Sequence, residues 1–172
     1  TLSDVVFSLG EDDAIDHHNA HLTIERAWIT GFAHEGIAAS GAGIVTVEDT
    51  VATRCEQGIE AGYGTPLVTV SHCLLVENDI GLRFGDSYDW ADEGTLVVSH
   101  TVSVDNTEAN VLNLTDEGGP RPEAIQVSCS MVDDPAFDGH DGNMPGVPGW
   151  TAEGCVDTTT CQGTEIGPNI CD

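Results

Sequence analysis

Apolar positions along this chain recur as three ordered series rather than at helical spacing. The first reads AID, GIA, GIE, GLR and NVL, anchored by Ile15, Ile37, Ile59, Leu82 and Val111. The second reads LTI, VTV, VTV, LVV and IQV, starting at Leu22, Val45, Val68, Leu96 and Ile125. The third, AWI, TVA, CLL, TVS and CSM, starts at Ala27, Thr50, Cys73, Thr101 and Cys129. The anchors step by 22, 22, 23 and 29 residues, so the period is short and lengthened only by insertions. No stretch is amphipathic at helical period. Segments of two or three inward residues repeating by coil predict an all-β chain whose strands stack on their counterparts one coil later, giving three parallel sheets around one core.

On these residues the chain resembles the right-handed, single-stranded parallel β-helix of the pectin-lyase-like superfamily over residues 1–134. The leucine-rich repeat is the competing solenoid, and its L-x-x-L-x-L-x-x-N signature is missing. The resemblance implies about five coils, followed by an irregular C-terminal cap over 135–172. Counting back from Ile15 puts DVVF (4–7) on the third strand of an earlier coil. The chain is therefore expected to begin partway round a turn, with an open coil that another protein chain could stack on.

Coil stacking places homologous positions about 4.8 Å apart. Two residues past each second-series segment come Asp4, Arg26, Asp49, His72 and His100, so Arg26 should sit between Asp4 and Asp49. The same logic sets Glu60 beside Arg83 and Arg54 beside Glu77, as ladder pairs on the surface. Ala33, Cys55, Asn78 and Asn106 share a turn that in this superfamily often carries stacked asparagines, which makes Cys55 a small buried hydrophobe. The register does not favour a Cys55–Cys73 disulfide.

Charge narrows the partners. Thirty acidic residues against four basic ones, in 172, give a formal net charge of −26. That field repels nucleic acid, anionic membranes and uronan-type polyanions and attracts cations. No run is apolar enough for membrane insertion. Cys129, Cys155, Cys161 and Cys171 lie among Gly, Pro and Thr without a C-x-x-C knuckle, so disulfides pinning the cap are expected rather than zinc. Oxidised cysteines and acidity together point to an extracellular, secreted or cell-surface protein.

Three segments carry candidate chemistry. GEDDAID, followed one coil later by AHEGIAAS, is similar to the paired-Asp and His-Gly motifs of polygalacturonase-type glycoside hydrolases. That resemblance implies Asp12 and Asp13 as general acid and base of an inverting hydrolysis, with His34 beside them; Glu35 interrupts the His-Gly pair. Glu11, Asp12, Asp13, Asp16, His17 and His18 could alternatively hold a divalent cation such as Ca2+. The insertion GDSYDWADEG (85–94) places Tyr88 and Trp90, rings suited to stacking on sugars, among Asp86, Asp89, Asp92 and Glu93, which suit sugar hydroxyls or calcium. NLT at 113–115 is a glycosylation sequon whose Asn113 should point inward. A lyase is disfavoured because the chain has no Lys and three of its four Arg residues have carboxylate neighbours. The expected function is a structural or adhesive extracellular module, a surface-protein domain or fibre subunit, contacting carbohydrate or calcium. The alternative is a glycoside hydrolase acting on an extracellular polysaccharide.

Overall fold

A computed structural model describes residues 1–86, 92–114 and 122–146. They are almost entirely parallel β-strand in curled sheets, with one 3-10 turn at Pro122–Ala124. One sheet stacks Ile15–His18, Glu35–Gly41, Gln57–Gly64, Ile80–Phe84 and Ala109–Asn113. Its register aligns Ile15, Ile37, Ile59, Leu82 and Val111 in a single column, each at most 8% exposed. This is the interior column expected from the repeat. It forms because a parallel ladder bonds each residue to its counterpart one coil on, so an apolar residue kept at one position builds a continuous core.

The second and third series were expected to form separate sheets, and here they join. Leu2–Gly10 and His21–Phe32 run through the corner between them without a break, and the ladders on either side merge into one eleven-stranded sheet. The corner is a single residue in left-handed backbone conformation, with φ between 48° and 55° at Asp4, Arg26, Asp49, His72, His100 and Cys129. Asp and His tolerate that region better than most residues. This column corrects the expected third series by one residue. Val102 pairs with Met131, which puts Ser130 level with Thr101 and moves Cys129 back into the corner. Past the last apolar segment, Met144–Pro145 adds a further strand beside Met131–Val132.

Two polar ladders inside the stack satisfy backbone groups at the corners. In one, Thr50, Thr101 and Ser130 accept the amides of Ala27, Cys73 and Thr101 from the preceding coil, at 3.3, 3.4 and 3.1 Å. Each hydroxyl donates in turn to the carbonyl two residues before it, at 2.8–2.9 Å. In the other, Asn78, 1% exposed, accepts the Cys55 amide at 3.1 Å and donates to the Ala52 carbonyl at 3.0 Å. Asn106 accepts the Asn78 amide at 3.0 Å, so the expected asparagine stack is present. Cys55 and Cys73 are free, buried thiols. Three of the four cysteines expected to pin the cap, Cys155, Cys161 and Cys171, lie outside the described residues. The glycines of the GI and GL pairs also have a physical cause: a Cβ on Gly36 or Gly58 would meet the carbonyl oxygen of the next coil's glycine at 2.7 or 2.6 Å.

The surface rows are partly as expected. Arg26 binds Asp4 through both Nε and Nη2 at 2.8 Å, and its other carboxylate is Glu25 at 3.5 Å. Among the described residues it makes no ion pair with Asp49, so the sandwich is one-sided. His72 and His100 stack ring on ring, 5.0 Å apart and 12° from parallel. Arg54 reaches Glu77 at 3.1 Å; Arg83 reaches Glu60 at 3.2 Å, but this pair, expected on the surface, is buried, its side chains 11% and 7% exposed. No helix among the described residues is long and apolar enough to cross a membrane.

If the asparagine ladder holds the corner, Asn78→Ala removes two buried backbone bonds, each worth about 1–3 kcal/mol when its partner is left unsatisfied. Urea unfolding should show a loss of roughly 2–4 kcal/mol. An unchanged midpoint would mean that the corner is held by something else.

Candidate functional site

The outward side of the first ladder is not flat. A groove of about 840 Å³ runs across it, floored by the strands at Glu35–Gly41 and Gln57–Gly64. Asp12 and Asp13 stand in the turn entering Ile15–His18, and His34 and Glu35 occupy the same turn one coil later. Ladder register therefore brings 12–13 against 34–35, although 22 residues separate them. His34 Nδ1 lies 3.3 Å from Asp12 Oδ1 and 3.9 Å from Asp13 Oδ1. The Glu35 amide donates to Asp13 Oδ1 at 3.1 Å, and Gln57 Nε2, from the next coil, donates to Glu35 Oε1 at 2.7 Å. Asp12 and His34 are open to solvent, whereas Asp13 is mostly buried.

Burial pushes the Glu35 carboxyl up to about 9, helped by its hydrogen bond with Asp13 and by the charges of Glu60 and Asp13. Further along the floor Arg83 bridges two acids, Glu60 at 3.2 Å and Asp86 at 3.5 Å. Burial raises Glu60 to about 8; Arg83 opposes this, and Asp86, Asp13 and Asp92 reinforce it. Two carboxylates sharing one guanidinium out of water hold on to a proton, so the upward direction has a clear cause even beside an arginine. At the far wall His18 Nδ1 contacts Ser40 Oγ at 2.9 Å, and the Tyr63 ring lies 5.9 Å from that of His18. Tyr63 stands where the ladder register shifts, Ala39 pairing with Ala61 but Gly41 with Gly64.

The structure thus brings together Asp12, Asp13 and His34, adds Asp16 and Asp86 to the same groove, and leaves other expected residues apart. His17 turns its Nε2 to the Ala20 carbonyl at 2.9 Å and His18 faces Ser40, so neither joins Asp12 and Asp13. The imidazole at that pair comes from His34 instead. Asp92 is buried, bridging to Gly64, and Glu93 is exposed. Tyr88, Asp89 and Trp90 lie outside the described residues. Asn113 is level with the buried Phe84, on the inward column. Sequence reasoning took Glu35 as an interruption and overlooked Gln57 and Tyr63. The signal was present: Asp13, Glu35 and Gln57 follow one another at the coil period.

Compared with family models, curated proteins and solved structures, the chain matches none. The reading of the groove therefore rests on its own chemistry.

That chemistry has a pH signature. Glu35 and Glu60 bind protons more tightly folded than unfolded, where a glutamate titrates near 4.5. Their contribution to stability is complete below that value and is lost as pH rises through about 8 for Glu60 and about 9 for Glu35. The melting temperature should fall between pH 6.5 and 9, and Glu60→Gln, which cannot ionise, should flatten the decline. A variant with the wild-type slope would show that Glu60 is already ionised in the folded protein.

Proposed function

We propose that the chain is an extracellular, right-handed parallel β-helix module of the pectin-lyase-like type, about five coils long with a disulfide-bonded C-terminal cap, and that it binds carbohydrate along this groove. The observation that carries the reading is the groove itself: an open trough lined by carboxylates, an amide, a hydroxyl and the half-buried ring of Tyr63. Sugars are bound in this way, with an aromatic face against the ring and hydrogen-bonding side chains on the hydroxyls. Strong acidity disfavours uronans, so the glycan is neutral or weakly charged. The role is adhesive or structural, as a surface-protein domain or fibre subunit.

One observation favours a second reading, glycoside hydrolysis. Asp12, Asp13 and Glu35 converge around His34 inside the groove, giving the several carboxyl groups that an acid and base pair requires. A neutral glycan panel separates the two. Retention of oligosaccharides without release of reducing ends, weakened by Tyr63→Ala, is the expected result. Release of reducing ends that disappears in Asp13→Asn would make hydrolysis the activity, and absence of both retention and release would remove the carbohydrate reading.

A further inference from the structure

We propose that Asp12, Asp13 and His34 form a binding site for one divalent transition-metal ion of the Zn2+ class at the mouth of the groove. One nitrogen and two carboxylate oxygens from these residues all lie within 4.8 Å of one another. Ligands held about 2.0–2.2 Å from a single zinc ion stand roughly 3–3.6 Å apart. The His34 Nδ1 to Asp12 Oδ1 separation of 3.3 Å is already such an edge, and the 3.9 Å to Asp13 Oδ1 closes with a small side-chain rotation. Asp13 is pre-oriented for this by the Glu35 amide, the outer-shell support that metal ligands commonly have.

The imidazole decides the class of ion. Calcium and magnesium take oxygen donors, whereas a mixed nitrogen and carboxylate set suits zinc and its neighbours. Three protein ligands leave at least one coordination position facing the groove, the arrangement of an open rather than a closed site. Gln57, only 3% exposed, extends the outer-shell support from the next coil by donating its Nε2 to Glu35 Oε1 at 2.7 Å. The site goes beyond the carbohydrate reading and does not depend on it.

Titration calorimetry of the metal-stripped chain with zinc chloride tests it. We expect one zinc ion per chain, bound at least ten-fold more weakly by Asp12→Asn and by His34→Ala, and unchanged by the corner variant Asp49→Asn. Both altered ligands are exposed, and circular dichroism verifies that the variants fold. Calcium in ten-fold excess should not displace the zinc. Equal affinity in all four proteins, several equivalents insensitive to His34, or displacement by calcium would each overturn the proposal in favour of diffuse attraction to an acidic surface. Oligosaccharide retention measured separately in EDTA distinguishes failure of the metal site from failure of the carbohydrate reading.

Discussion

Everything in this molecule depends on one constraint: parallel backbone hydrogen bonding between successive coils fixes each residue directly over its counterpart. Once the register of Ile15, Ile37 and Ile59 is set, the positions beside them take their vertical partners from it, up to the shift between Ala39 and Gly41. Interior columns must then be apolar, or polar and self-satisfying. The column from Thr50 to Ser130 meets the second condition by letting each hydroxyl accept from one coil and donate within its own. Cys73 occupies a hydroxyl position in that column and its thiol points to the Ser71 carbonyl at 3.2 Å, so sulfur substitutes for oxygen without breaking the pattern.

The same constraint creates the electrostatics of the groove. Side chains that would spread apart on a helix are forced into contact across coils, and Asp13, Glu35 and Gln57 cannot avoid one another. A chain with 30 acidic residues meets this crowding in two ways. At the solvent-facing corner Asp4 and Arg26 form an ionic pair. Where acids meet in partial burial, as at Glu35, the carboxyl keeps its proton and becomes a hydrogen-bonding group. At Glu60 the two answers meet, with Arg83 standing 3.2 Å away while burial raises the carboxyl's hold on its proton.

Much of this was legible in the primary structure because columns are periodic and periodicity is visible. The interior column, the pairing of Arg83 with Glu60 and the turn stack at Asn78 and Asn106 follow from counting residues. Three things did not. The apolar pattern alone could not tell Cys129 from Ser130 as the start of its segment, since only the corner backbone and the hydroxyl ladder decide it. The merging of two sheets depends on whether strands run through the corner unbroken, which side-chain type does not encode. His17 and His18 were grouped with Asp12 and Asp13 by proximity along the chain, whereas vertical stacking gives the place to His34.

The three corners differ in how much length they admit. Between the second and third ladders the bend is always one left-handed residue, from Asp4 to Cys129, and an added residue there would flip every side chain that follows. Between the first and second ladders the connection varies freely, from Asn19–Ala20 to residues 85–94 and 114–124. Most of the length variation thereby falls on one rim, where the first-ladder strands end, while the corner between the third and first ladders changes by a single residue. The scaffold can accept new loops and new specificities along that rim while its opposite corner stays invariant, much as a spine stays fixed while its pages are exchanged.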